Sequence, residues 1–591
     1  MPPAGPPFSW PSSARIAVHR TGGLRFEAPA REPATCVGDV VVEVARGDET
    51  LRWAVRNESA AAVSLDCVRF VTDAGAVGEF PRMFCNGYQS WSETRARLLG
   101  VDEDPSRHPR SFRFFRTIHH ADPNRADPRE LRSELVTAID RGTAGLDGSS
   151  GRILVGFLGG ANHEGTIRAR VVEGRLELVF EAWLGGARLA PGERRALHEV
   201  EVSEGDDVAG LLDRWAQRFG QVERARVSMP YQVGWCSWYH YFHDIDETAL
   251  RANLARSGDW PFTVFQLDDG YQAAIGDWLD TNEKFPSDLG SIAGEIRRAG
   301  RVPGLWIAPF LAAPASRVAQ EHPALLARAP AGDEPLIGMH HEMWGGAMWQ
   351  LDTTHPETLS HLEAVARGLR ERGYDYLKLD FTFSPTFPGR YHDASRTPAE
   401  RVRAGYEAIR RGAGDDAFIL ACGCPLGSVV GVVDAMRIGP DVSPSWEVAP
   451  HDATWPGYEA TAPSTRNAWN STLLRAFLHR RLWLNDPDCL MLRRSETALN
   501  PEQMRAWSLA VGTSGGLALV SDDLGLLDRD ARALLDEVVA LGRVADDGAR
   551  HGDAPSCTDL LSPAGPTSLA SAAGTLVADP ADPHPTLEPS P

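Results

Sequence analysis

The chain of 591 residues, 43% hydrophobic and 24% charged, has the composition of a soluble globular protein with room for two to four domains. Its formal net charge of -20, with no basic run, argues against a nucleic-acid or other polyanion partner. No uninterrupted apolar run approaches the ~18 residues of a membrane span, and the opening stretch "MPPAGPPFSWPSSARIAV" lacks the apolar core of a signal peptide.

The first part of the chain alternates short apolar runs with Gly, Asp and Asn: "DVVVEVA", "LRWAVRN", "RILVGFLG", "TIRARVVEG", "RLELVFEAWL". That pattern predicts an antiparallel β-sandwich over residues 1–215. "DDVAGLLDRWAQRFG" has apolar residues at helical spacing and reads as a connecting helix, leading through a linker at 216–229.

From residue 230 the pattern changes. Eight short apolar strands alternate with helical segments: "QVGWCSW", "FTVFQLDDG", "VPGLWIAP", "YDYLKLDF", "AFILACGCP", "DAMRIGPD", "RLWLNDPD" and "GGLALVSDD". They predict a (β/α)8 TIM barrel over residues 230–543. Residues 544–591 are expected to form a short C-terminal β-rich region with a disordered tail, "PADPHPTLEPSP".

Eight scattered cysteines suit free thiols in a reducing compartment, so a cytoplasmic location is expected. The pair Cys422 and Cys424 in "CGC" lacks the further spaced ligands of a zinc site. The chain holds only two lysines, Lys284 and Lys378, against a total of 60 Lys plus Arg. One of them stands in "YLKLDF", two residues before Asp380. Alternation along a strand puts Lys378 and Asp380 on one inward face at the barrel mouth. Taken alone, Asp380 could equally cap a helix.

Other strand ends add carboxylates: Asp268 and Asp269 in "FQLDDG", Asp441 with Arg437 in "RIGPD", Asp486 and Asp488 in "NDPD". Gly270 permits a sharp exit from the second strand. So many carboxylates suggest a metal site or a polyol site. A metal would usually recruit His as well; no strand end offers one, although His240 and His243 follow the first strand in "WYHYFHD". A sugar site accounts for more. Carboxylates, Lys and Arg hold hydroxyls directionally, and Trp235, Trp238 and Trp306 offer flat walls. Ordinary packing is an equally good reading for Trp238, His240 and His243. Asp380 and Asp441 can face each other as the carboxyl pair that glycoside cleavage needs.

Five motifs in this order, "FQLDDGYQAAIGDWLDTNEKFPSDLGSIAGEIRRAGRVPGLWIAPF", "YLKLDF", "CGCPLG", "MRIGPDVSPSW" and "LNDPDCLMLR", resemble the α-galactosidases (melibiases) of glycoside hydrolase family 36. "CGCPLGS" departs from the Gly-rich segment of larger members and is similar to the smaller bacterial and archaeal subgroup. The resemblance implies a retaining mechanism with Asp380 as nucleophile and Asp441 as acid/base. Free Asp titrates near ~3.9, so Asp441 must be shifted upward, while Lys378 helps keep Asp380 charged.

The resemblance further implies that Asp268 and Asp269 grip the galactose 4- and 6-hydroxyls, Lys378 the 3- and 4-hydroxyls and Arg437 the 2-hydroxyl. Trp306 stacks as a wall, Cys422 senses the 2-position, and Asp488 lines the pocket. Trp91 in "FCNGYQSWSETR" is expected to close one wall from an exposed loop of the N-terminal domain. The substrate is a small carbohydrate of the melibiose or raffinose type, with no cofactor and no metal. The alternatives are an α-N-acetylgalactosaminidase and a catalytically silent sugar-binding protein.

Overall fold

The computed structural model describes residues 10–101, 129–142, 151–450 and 459–590. Residues 1–9 of the opening stretch lie outside the described residues. The N-terminal region is two facing antiparallel sheets. One runs in the spatial order Leu24–Pro29, Arg15–Arg20, Val63–Ala76, Arg175–Leu189, Glu164–Val172, Leu131–Glu134. The other starts at Ala34–Val37, continues through Val40–Arg46, Thr50–Asn57, Glu199–Glu204, Arg152–Leu158, Val136–Asp140 and Arg82–Cys85, and ends at Arg95–Leu98. Alternation does the work: Val40, Val42 and Val44 are buried while their neighbours are not. They join Val18, Phe70, Ile167 and Phe180 of the facing sheet in one apolar core.

The expected connecting helix spans Val208–Glu223, with Asp207 accepting from the Gly210 N–H as its N-cap. It packs on the sandwich through Trp215, whose Nε1 donates to the Phe157 carbonyl at 2.9 Å. Gly156 is obligatory beneath it, since an added Cβ would lie 2.2 Å from that indole nitrogen.

The central sheet holds eight parallel strands: β1 (Val233–Cys236), β2 (Val264–Leu267), β3 (Val302–Ile307), β4 (Tyr376–Leu379), β5 (Phe418–Ala421), β6 (Ala435–Arg437), β7 (Leu484–Asp486) and β8 (Ala518–Val520). Their order is β7-β6-β5-β4-β3-β2-β1-β8. The remaining gap is bridged where Leu517 N–H donates to Asn485 O at 2.9 Å and Leu490 N–H to Leu519 O at 2.7 Å. The strands are apolar almost throughout because helices cover one face and the barrel interior fills the other. After β3 the chain leaves the barrel to form a hairpin, Ile337–His341 and Gly346–Gln350, which returns toward the mouth.

A four-stranded antiparallel sheet, Ser556–Cys557, Ser568–Ser571, Gly574–Val577 and Thr586–Glu588, ends the chain. This corrects the expected disordered tail. Leu587 pairs with Leu576, which in turn pairs with Leu569, so one leucine in a polar stretch completes a buried row. Trp446 also donates its Nε1 to the Pro580 carbonyl at 2.8 Å, tying the tail to the barrel. Among the described residues, no helix is long and apolar enough to cross a membrane.

Candidate active site

The strand ends converge as the alternation requires. Lys378 on β4 lies in register with Trp306 on β3. Its Nζ donates to Asp268 Oδ2, just past β2, at 3.0 Å. Burial opposes the lysine's charge, but Asp268 and then Asp380 outweigh it and hold its pKa well above the usual value. Trp306 donates its Nε1 to Asp380 Oδ2 at 2.9 Å, and the Phe381 N–H donates to Asp380 Oδ1 at 2.8 Å. Phe381 takes a φ of 52°, an unusual turn for a bulky residue directly after a carboxylate.

Asp268 and Asp269 share the exit of β2 but have different partners. Asp268 also accepts from Gln266 Nε2 and, at 3.0 Å, from the Asp269 N–H, and its own N–H donates to Ser237 Oγ at 2.9 Å. Asp269 accepts from Gln272 Nε2 at 2.6 Å and from Trp344 Nε1 at 2.8 Å, with His243 Nδ1 at 3.5 Å. Burial raises its pKa. Gly270 leaves the strand at a φ of 120°, with Ile245 Cγ2 and the His243 carbonyl where a side chain would stand. The second lysine of the chain, Lys284, donates its Nζ to that same His243 carbonyl.

Arg437 at the end of β6 holds three carboxylates: Asp486 through Nε at 3.0 Å, Asp441 through Nη1 at 3.1 Å and Asp488 through Nη2 at 2.7 Å. Burial works against its charge, and Asp488 and Asp486 more than restore it. Asp441 and Asp488 then differ in access. The Asp441 side chain is 35% exposed, whereas that of Asp488 is 0% exposed. The Asp441 pKa is raised, first by loss of solvent in the cleft and then by the Asp380 charge, against the opposing pull of Arg437. Asp488 is pushed up to about 6 by burial. Cys422 sits among these groups, 1% exposed, its thiol pushed up by burial and by Asp380.

Three sequence expectations change. Trp235 forms no sugar wall. It is 0% exposed, stacks on Phe265 at 4.2 Å and donates its Nε1 to the Asp522 carbonyl at 2.8 Å. Cys236, one position on, takes the inward face and reaches Asp268, so the two-residue period turns Trp235 to the helix layer. Asp488 does not line the pocket. Its Oδ1 is shared by Arg437 and the Cys489 N–H, and Tyr239 Oη and the Val442 N–H take its Oδ2, so it braces Arg437 and the Asp441 segment. The loop "FCNGYQSWSETR" is irregular but not exposed: Asn86, Tyr88, Gln89 and Ser90 are all buried between the sandwich and the barrel.

That loop does reach the site. Gln89 bridges to Pro425, and the Leu426 N–H donates to Tyr88 O at 3.2 Å. Trp91 packs edge-on against Phe381, with ring centroids 5.1 Å apart, and against Phe383 at 5.9 Å. Gly423 of "CGC" has a φ of 52°, and an added Cβ would lie 2.9 Å from the Trp91 ring. Of the residues read as packing, Trp238 meets the His243 ring edge-on at 5.1 Å, while His240 turns toward Glu496.

Sequence reasoning missed Tyr239, Gln272, Trp344 and His341. The last two sit on the hairpin after β3, where His341 stacks on Trp344 at 4.2 Å and Trp344 meets Phe381 at 5.0 Å. The available signal was the aromatic "HHEMWGGAMW", with the two turn glycines Gly345 and Gly346 in its middle.

The melibiase family model matches residues 224–402. The chain is 26% identical over 156 residues to alpha-galactosidase Mel36A of Lactobacillus acidophilus, covering 25% of this chain and 20% of that protein. It is 24% identical over 270 residues to an Escherichia coli alpha-galactosidase, covering 42% of this chain and 36% of that one. These matches thus span well under two thirds of the curated relatives. The structural likeness is more extensive. TtGalA, an alpha-galactosidase from Thermus thermophilus solved with p-nitrophenyl α-D-galactopyranoside, superposes with a TM-score of 0.63 at 27% identity, covering 85% of this chain and 92% of that one. AgaA, a GH36 alpha-galactosidase from Geobacillus stearothermophilus, shares the fold with a TM-score of 0.54 at 14% identity, over 92% of this chain and 77% of its own. The barrel motifs, the domain order and these likenesses agree in making the chain similar to the melibiases of glycoside hydrolase family 36.

Proposed function

We propose that this protein is an exo-acting, retaining α-galactosidase that removes terminal galactose from oligosaccharides of the melibiose and raffinose type. The observation that carries the reading is the division between two carboxyls at one mouth. Asp380 accepts two hydrogen bonds, from the Trp306 indole and the Phe381 N–H, while Asp441 has a raised pKa and a partly exposed side chain. TtGalA, similar across most of its length, was solved with p-nitrophenyl α-D-galactopyranoside and with stachyose.

In the first step the Asp380 carboxylate attacks the anomeric carbon. The bond to the leaving oxygen breaks, and that oxygen takes the Asp441 proton. In the second, the Asp441 carboxylate takes a proton from water. The resulting hydroxide oxygen bonds to the anomeric carbon, releasing galactose and the Asp380 carboxylate. Asp268, Asp269 and Lys378 hold the 3-, 4- and 6-hydroxyls. Arg437 spends three of its five N–H groups on carboxylates, which leaves two for the 2-hydroxyl. Trp306 and Trp91 supply walls.

The burial of Cys422, 1% exposed, and the packing of Trp91 against Gly423 support galactose over N-acetylgalactosamine. Assays on nitrophenyl α-galactoside, α-glucoside and α-N-acetylgalactosaminide test the reading. Galactoside turnover alone supports it. Turnover of none, with galactose binding intact, would leave a sugar-binding protein.

A further inference from the structure

Arg475 follows the helix Thr465–Leu474 and is 0% exposed. Among the described residues, no carboxylate lies within ion-pair distance of it. Its donors instead meet five neutral oxygens. Nε reaches Asn86 Oδ1 at 3.0 Å, and Nη2 reaches the carbonyls of Gly87 at 3.1 Å and Gln89 at 3.4 Å. Nη1 reaches the carbonyls of Ser90 at 3.2 Å and Ile438 at 2.6 Å. Burial without a counter-charge pulls its pKa down. A cation held this way is costly compared with an apolar side chain of the same shape, so stability alone does not account for it.

What the five oxygens belong to is informative. Four lie on the Asn86–Ser90 loop of the N-terminal domain, immediately before Trp91. The fifth belongs to Ile438, between Arg437 and Asp441 on the β6 exit. The Arg475 carbonyl also accepts from Asn485 Nδ2 at 3.1 Å, on β7 beside Asp486. One buried guanidinium therefore touches the segment that brings Trp91 over Phe381 and the segment that carries the Asp441 carboxyl.

We propose that Arg475 is a positioning residue that sets the width of the sugar pocket by locking the Trp91 loop to the Asp441 segment. The planar fork matters: it meets carbonyls on two backbones at once, which a lysine point charge cannot do. The inference rests on the proposed hydrolase reading but concerns a residue that touches no substrate.

The test is a double-mutant cycle of Arg475→Lys and Trp91→Ala, reading kcat and KM on p-nitrophenyl α-galactoside with thermal melts alongside. Arg475→Lys is expected to raise KM by about 10-fold, as misplacement of a binding wall does, and to add nothing further in the Trp91→Ala background. Independent, multiplying KM effects overturn the proposal, as does a lowered melting temperature with unchanged KM. Should Arg475→Lys fail to fold, Asn86→Ala removes one acceptor on the N-terminal side, together with the Asn86 Nδ2 bond to the Glu134 carbonyl. A KM rise of about 3-fold or more is then expected on the same reasoning, and an unchanged KM overturns the proposal. The same cycle is read by calorimetric titration with 1-deoxygalactonojirimycin, which needs no turnover. Tight binding with a coupled cycle but no hydrolysis would refute the hydrolase reading and leave the positioning role standing. Hydrolysis with an uncoupled cycle would do the reverse.

Discussion

Trp306 donates its indole N–H to Asp380 at 2.9 Å from the neighbouring strand. The expected wall is thus also a hydrogen-bond donor to the proposed nucleophile, whose other oxygen accepts from the Phe381 N–H. Trp306→Phe keeps the apolar face and removes the donor. A hydrogen bond to a charged group is worth ~1.5–3 kcal/mol, so kcat/KM should fall by roughly 10–150-fold with the melting temperature little changed. An activity within about 2-fold of wild type would show that the bond does not orient Asp380.

Asp380→Ala should lower turnover by at least about 10³-fold, as loss of a covalent nucleophile does. Added azide should restore part of it and yield β-galactosyl azide, the anion entering from the vacated face. An α-configured azide would assign the nucleophile elsewhere.

Asp441→Ala should spare nitrophenyl galactosides in the first step, because a good leaving group needs little protonation, and should impair raffinose by on the order of 10²–10⁴-fold. The pH profile follows from the sign of the shift. A carboxyl with a raised pKa keeps its proton to higher pH, so acid assistance is present below that pKa and lost as pH rises through it. The alkaline limb of kcat/KM should therefore disappear in Asp441→Ala. An unchanged alkaline limb assigns the acid to another group.

Asp268→Asn and Asp269→Asn should each cut kcat/KM on galactosides by about 10²-fold or more, since a buried site built for hydroxyls leaves polar groups unpaired when the match fails. Wild-type enzyme should discriminate against α-glucosides, whose equatorial 4-hydroxyl points away from the pair, by about 10³-fold or more. Comparable efficiency on both sugars would remove galactose from the assignment.

The stability of the Asp488 region should also depend on pH. Its folded pKa of about 6 lies above the ~3.9 of an unfolded Asp. The folded state thus binds the extra proton, and the contribution is present below about pH 4 and lost as pH rises through about 6. Asp488→Asn should flatten the dependence of melting temperature on pH across that window. An identical slope in the variant would place the titration on a different group.

The eight strands and the alignment of Lys378 with Asp380 were legible in the amino-acid sequence because both depend on a local two-residue period and on short apolar runs. The same period could not by itself set the phase of β1. Only the packed barrel shows that Cys236 faces Asp268 and turns Trp235 outward. Trp344 escaped notice because it reaches Asp269 from a hairpin 75 residues on in the chain. The tail strand Thr586–Glu588 was hidden because its composition is polar and its order comes from Leu576 and Trp446 elsewhere. Arg475 looks like any helix-end arginine in the sequence; its acceptor Asn86 is 389 residues away. Local periodicity decides which side chains a strand can offer to a face. Which of them meet, and which buried cation holds two domains to one pocket, is decided by contacts that exist only once the chain has closed on itself.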